Sequence, residues 1–211
     1  MKNWHIFLSL ITLYILSAFI SNEYILTSDI YQKSFSNELT IDQIHKMITF
    51  KESYGWVAYL FNVLVLTIKL NFAAFCLFIG LFFTGKKIAY KKILKVVLLA
   101  EFVFVLYAGL RLFLIFINEF NTLQEIQHFI PLSLYSIFYG NGIPEWLIYP
   151  LSIMNVAELV YWFLLALGLT LILKTHYLKN LKTVLTSYGT GLLLWVVVLV
   201  FIQVYFLNPT I

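Results

Sequence analysis

From Val57 to Phe83 the chain runs apolar with a single formal charge, Lys69, inside "LTIKLNF". A run this long crosses the ~30 Å hydrocarbon layer of a bilayer as a helix rising ~1.5 Å per residue. Comparable runs recur along the chain, and five spanning helices are expected, at 5–21, 56–83, 94–118, 146–173 and 184–207. Of the 211 residues 62% are hydrophobic and only 11% charged, with the charges gathered between the runs, which excludes an ordinary soluble domain. The fold expected is all-α, a polytopic membrane bundle forming one membrane domain over 1–211. Lys2 followed by Ile6–Ile20 also has the form of a secretory signal. The stretch "SAFISN" puts bulky Phe19 and Ile20 where a cleavage site needs small residues, so this helix is expected to be retained.

Loop charges orient the bundle. Lys86, Lys87, Lys91, Lys92 and Lys95 follow the second run, and Lys174, Lys179 and Lys182 follow the fourth, with no acidic residue among them. Both loops are therefore expected on the cytoplasmic side. The segments 22–55 and 119–145 carry Glu23, Asp29, Glu38, Asp42, Glu52, Glu119, Glu125 and Glu145 against Lys33, Lys46 and Lys51, and are expected outside. With Lys2 also inside, the N-terminus is in and the C-terminal "LNPTI" out.

The outer segments have helical content of their own. "TIDQIHKMI" (Thr40–Ile48) and "TLQEIQHFI" (Thr122–Ile130) each begin with a threonine three residues before Gln43 or Glu125, the pattern of a capping box. Apolar residues then recur at helical spacing, so two helices lying at the outer interface are expected. After Pro131, "LSLYSIFY" is too short to span and reads as an interfacial or re-entrant piece, ended by a turn at Gly140–Gly142. Trp146 and Tyr149 would anchor the fourth helix among the headgroups.

The two basic loops resemble each other. In "KIAYKKILKVVL" and "KTHYLKNLKTVL", Lys87, Tyr90, Lys92, Leu94, Lys95, Val97 and Leu98 match Lys174, Tyr177, Lys179, Leu181, Lys182, Val184 and Leu185 without a gap. This suggests two helical hairpins of like orientation plus a fifth helix, a parallel repeat. Basic inner loops are common enough that chance is the competing account.

Four charges fall inside expected spans: Lys69, Glu101, Arg111 and Glu158. Each costs ~2.5–3.5 kcal/mol at a helix centre, so opposite charges at similar depth should find each other or a water-filled cavity. Lys69 and Glu158 stand at comparable depth by helix length, with Asn155 one turn from Glu158, and are the expected pair. Arg111 can approach Glu158 from the outer side. Ten residues, roughly 15 Å, keep Arg111 from Glu101, which can meet the inner-loop lysines or Gln203 only if the helices tilt, so its partner stays open. Such charges serve either as a clamp fixing helix register or as an ion or proton path.

Catalytic signatures are missing: the chain contains no H-E-x-x-H, P-loop, G-x-S-x-G or G-x-G-x-x-G motif. Cys76 is the one cysteine, so no internal disulfide or thiolate cluster can form, and His5, His45, His128 and His176 fall on different segments. No catalytic residue, metal or cofactor is expected.

The stretches "TGKKIAYKKILKVVLLAEF" (Thr84–Phe102) and "NVAELVYWFLLALGLTLILKTHYLKNLKTVLTSYGTGLLLWVV" (Asn155–Val197) together resemble bacterial members of the Yip1 family. The likeness is a Gly-Lys basic inner loop before a helix, then a polar-to-Trp helix, a short basic turn and a final helix. It covers about half of the chain. The resemblance implies a five-helix, N-in and C-out membrane protein without catalysis, whose eukaryotic relatives act with Rab GTPases in vesicle traffic and membrane shaping. This chain has no long region before its first helix, so no GTPase partner is expected. The expected role is a non-catalytic scaffold or accessory subunit of a complex in a bacterial cytoplasmic membrane. Membrane lipids and a membrane-protein partner or second copy are its expected contacts, and nucleic acid is not. The alternative is a small transporter or proton-coupled subunit using Lys69, Glu158 and Arg111.

Overall fold

The structure is a computed structural model describing residues 2–140 and 142–207, with the side chains of 206–207 left aside. The turn expected at Gly140–Gly142 therefore falls partly, and the C-terminal "LNPTI" almost wholly, outside the described residues. Among these the chain is helical without a strand. In order come α1 (Asn3–Ile20), a π-helical turn (Ser21–Ile25), α2 (Ser28–Phe35), α3 (Ile41–Phe83), α4 (Tyr90–Ala100), α5 (Phe102–Ile117), α6 (Leu123–His128), α7 (Leu134–Phe138), α8 (Glu145–Ile153) and α9 (Val156–Leu173). Then follow α10 (Tyr177–Val184), a second π-helical turn (Leu185–Gly189), α11 (Thr190–Ile202) and a third (Gln203–Leu207). Five helical stretches are long and apolar enough to cross a membrane: Asn3–Ile25, Ile41–Phe83, Tyr90–Ile117, Val156–Leu173 and Tyr177–Tyr205.

The third and fifth stretches begin earlier than expected, at Tyr90 and Tyr177, and two other differences go further. The segment Thr40–Ile48 is not a separate helix: α3 is continuous for 43 residues, about 65 Å at ~1.5 Å per residue and twice what a bilayer needs. Its capping box is present, with Thr40 N donating to Gln43 Oε1 at 2.9 Å and Gln43 N to Thr40 Oγ1 at 3.4 Å. No proline interrupts the stretch, and Gly55 alone is too mild a breaker to end a helix flanked by good formers. At its far end Lys86 N bonds Leu81 O at 3.0 Å and Gly85 N bonds Phe82 O at 3.0 Å. Gly85 takes φ +72°, which closes a Schellman motif that needs a residue without Cβ.

The expected helix 146–173 is broken. α8 carries Pro150 internally and stops at Met154, whose ψ is 80°, and α9 starts anew with Asn155 as N-cap, its side chain accepting from Glu158 N at 2.9 Å. The backbone groups released by the break are taken up by the segment after Pro131: Leu134 N donates to Met154 O at 2.9 Å and Val156 N to Leu132 O at 3.0 Å. Unpaired amides inside a bilayer would each cost several kcal/mol. The short "LSLYSIFY" piece thus closes the break.

The contacts divide the chain into two units, 1–6 with 69–104 and 130–211, and 7–68 with 105–129. In the first, Leu70, Ala73, Ala74, Leu77 and Leu81 form the buried stripe of α3, and Ile93, Val96, Val97 and Ala100 that of α4. Tyr161, Leu165, Ala166 and Leu169 form that of α9. A Cβ added at Gly168 would run into Val96 Cγ1, so this glycine sets how closely α4 approaches α9. Gly168→Ala is expected to cost about 1–3 kcal/mol in reversible detergent unfolding, relieved by Val96→Ala, whereas Gly109→Ala, with nothing within 4 Å of the new Cβ, should be neutral or slightly stabilising.

The second unit is centred on Ile25, Ile115 and Ile126. α6 keeps the predicted capping box between Thr122 and Glu125. Ser34 Oγ on α2 accepts from Leu123 N at 2.7 Å, joining α2 to α6.

Candidate functional site

Lys69 lies one turn before the buried Ala73 on α3, and Glu101 lies between α4 and α5, the next helices in the chain. Tyr90 at the start of α4 donates its Oη–H to Asn71 Oδ1 at 2.9 Å, so α4 begins within a tyrosine's reach of the Lys69 region of α3, and the flexible lysine stem meets Glu101 from there. Lys69 Nζ meets Glu101 Oε1 at 2.7 Å. The carboxylate is fully buried and the lysine side chain 37% accessible. The ammonium also sits 3.4 Å from the centre of the Phe104 ring and 5.9 Å from that of Tyr161, where ring faces favour a cation. At Glu101 the helix tightens, Phe104 N bonding Glu101 O at 3.0 Å, an i→i+3 bond of 3₁₀ type.

The pair expected from depth alone, Lys69 with Glu158, is replaced by Lys69 with Glu101. The reason is the break at Met154–Asn155: Glu158 belongs to the first turn of α9 rather than to the middle of a long helix. Buried there at 7% exposure, its Oε1 accepts from Trp162 Nε1 at 2.8 Å and from Tyr188 Oη–H at 2.9 Å. A carboxylate in the first turn is further stabilised by the helix dipole. In a full capping box the glutamate would reach back to its N-cap amide; here the side chain is diverted to the two aromatic donors. Tyr188 lies in the second π-helical turn, whose extra residue per turn re-aims side chains.

Rings connect the two carboxylates. Phe104 and Tyr161 are 5.0 Å apart centre to centre, Tyr161 and Tyr188 5.5 Å at 70°, and Trp162 and Tyr188 6.2 Å at 85°, within the separations that edge-to-face pairs favour.

Arg111 has other partners than the glutamate offered to it. Its Nε donates to Phe129 O and its Nη2 to Ile126 O, each at 2.9 Å, so the guanidinium caps the C-terminal end of α6. Of the expected cluster, Asn155 is the N-cap that presents Glu158, and Lys69 and Glu101 are the ion pair.

The basic residues fall on two neighbouring turns of the first unit. Lys86 and Lys87 lie in the α3–α4 loop, Lys91, Lys92 and Lys95 on α4, Lys174 at the left-handed C-cap of α9 (φ 52°), and Lys179 and Lys182 on α10. Lys86 Nζ reaches Thr175 Oγ1 at 3.4 Å, which ties the two loops together. Burial and the neighbouring Lys179 push the Lys86 ammonium below its ordinary range. Asn180, fully buried, holds the second turn from within, donating to Thr170 Oγ1 at 2.9 Å and Thr175 Oγ1 at 3.0 Å. Asn180 is not among the residues expected from sequence, although a lone Asn among lysines and leucines at a turn is a signal of this kind.

Among the described residues no three His, Cys, Asp or Glu side chains come together as a metal donor set. No family model, curated protein or solved structure matches the chain.

Proposed function

We propose that this protein is a non-catalytic scaffold or accessory subunit of a complex in a bacterial cytoplasmic membrane, oriented N-in and C-out with its lysine turns at the inner headgroups. The observation that carries the reading is the Lys69–Glu101 pair, 2.7 Å long with a fully buried carboxylate. A charge neutralised inside one hairpin fixes helix register and leaves no vacancy for a carried ion. Lysines near a membrane surface gain ~1 kcal/mol each from anionic lipid, and the tie between Lys86 and Thr175 gathers both turns for that contact. The Yip1 resemblance agrees with such a role.

The internal repeat belongs to this proposal. Glu101 and Tyr188 are related by the same offset that relates Lys87 to Lys174. Each hairpin then carries one polar pair at one level, Lys69 with Glu101 and Glu158 with Tyr188. A parallel duplication that keeps an interhelical polar clamp in both copies accounts for both.

The test is purification of the full chain in mild detergent with identification of what accompanies it. A stoichiometric membrane-protein partner or a defined self-assembly is expected. An isolated monomer that moves protons or ions in proteoliposomes, with flux abolished by Glu158→Gln, would replace this reading by the transport one. The placement of Tyr188 on a π-helical turn against Glu158 is the feature favouring that alternative.

A further inference from the structure

A cavity of about 570 Å³ opens in the second unit, between the first π-helical turn, the start of α2 and the outer part of α3. Phe19, Tyr31, Trp56 and Tyr59 supply its aromatic walls, and Asn22 Nδ2 donates to Tyr59 Oη at 3.3 Å, holding the π-helical turn against α3. A volume of this order accommodates a small organic ligand or a lipid headgroup.

Charge of both signs lines the cavity. Lys51 Nζ donates to Leu26 O at 2.6 Å and lies 4.9 Å from the Tyr31 ring centre. Its ammonium also feels the carboxylates of Glu23 and Glu52, and of its three N–H donors the Leu26 carbonyl takes one. The hydroxyls of Thr27 and Ser28 lie in the same lining, and burial pushes the Tyr31 phenol up, keeping it neutral. Glu23 and Glu52, both exposed at the cavity, lie close enough to Lys51 to act on its ammonium, and their two carboxylates exceed its single charge, leaving one negative charge for an incoming cation. Aromatic faces beside carboxylates suit an ammonium, and a half-buried lysine beside hydroxyls suits a phosphate or carboxylate.

We propose that this cavity binds a zwitterion, an ammonium and a phosphate joined by a short linker, with the phosphate on Lys51 and the ammonium against Glu52, Glu23 and the rings. A phospholipid headgroup and a free phosphoamine share this chemistry. The site is separate from the scaffold role, so either can fail alone.

The test uses the purified full chain in detergent, titrated with glycerophosphoethanolamine and followed by the fluorescence of Trp56, with Trp56→Phe as the blank. Saturable binding is expected, weakened about tenfold by Glu52→Gln and by Lys51→Met, since each removes one charge-assisted contact. Glu52 is exposed and carries no internal bond, so its variant stays folded even where loss of the Lys51–Leu26 bond unfolds the other. Native mass spectrometry separates the sources. Phosphatidylethanolamine retained over phosphatidylglycerol, and lost in Glu52→Gln, marks a lipid ligand; binding of the phosphoamine with no lipid retained marks a free one. Absence of saturation, binding indifferent to Glu52→Gln, or an equal response to inorganic phosphate alone overturns the proposal.

Discussion

Lys69→Met is expected to lose about 3 kcal/mol of stability in reversible unfolding from mixed micelles, the lower end of what removing one partner of a buried ion pair costs. The lower end applies because the lysine side is 37% accessible and part of the interaction is screened. What remains in that variant is a fully buried Glu101 carboxylate without its ammonium. Glu101→Leu should be milder, about 1–2 kcal/mol, because the ammonium keeps the Phe104 face at 3.4 Å. The double variant Lys69→Met with Glu101→Leu should return to within about 1 kcal/mol of the parent, since an apolar pair of similar volume replaces a desolvated ionic one. Costs that simply add would refute a direct pair.

The second large effect belongs to Glu158. Glu158→Ala strands the indole N–H of Trp162 and the phenol of Tyr188, both now bonded to one oxygen. Two unsatisfied donors, one of them on a side chain buried at 3% exposure, cost about 3 kcal/mol together. Glu158→Gln retains an acceptor oxygen and should lose about 1 kcal/mol by the same unfolding measurement. The contrast between the two separates hydrogen-bond satisfaction from charge: near-equal losses would mean that the negative charge itself is what the site requires.

Why the chain announces five apolar helices but hides their breaks is a matter of which force writes the signal. Burial in lipid demands apolar residues along 146–173 whether or not the backbone is continuous, so hydropathy is blind to the interruption at Met154. The interruption is written locally, in Pro150 and in Asn155 followed three residues later by Glu158, a capping pattern of the kind read correctly at Thr122. Within an apolar run the same pattern has the look of interior polarity and not of a helix start. With the break hidden, Glu158 counts as mid-helix and matches Lys69 by position, whereas it stands in the first turn of α9 and Lys69 pairs with Glu101.

The long helix shows the converse. Thr40–Ile48 has a sound cap and an amphipathic pattern, and both persist in α3; what sequence cannot supply is a reason for the helix to stop before Trp56, and it does not stop. Chain adjacency was the more reliable guide to pairing. Lys69 and Glu101 stand on helices joined by the loop after Phe83, a nearness in the chain that counting from helix centres leaves out. Arg111 was legible as a buried cation, but its acceptors are backbone carbonyls at the end of α6, which carry no residue-type signature.

Charge exchange gives the sharpest discrimination. Lys69→Glu alone places two carboxylates together and should prevent accumulation of folded protein in the membrane. Adding Glu101→Lys restores the opposite charges across the same hairpin, and the account predicts recovery of folded, membrane-inserted protein to near the parental level in detergent gel filtration. If Lys69→Glu is rescued instead by Glu158→Lys, or by neither exchange, the assignment of Lys69 to Glu101 is wrong and the clamp built on it falls with it.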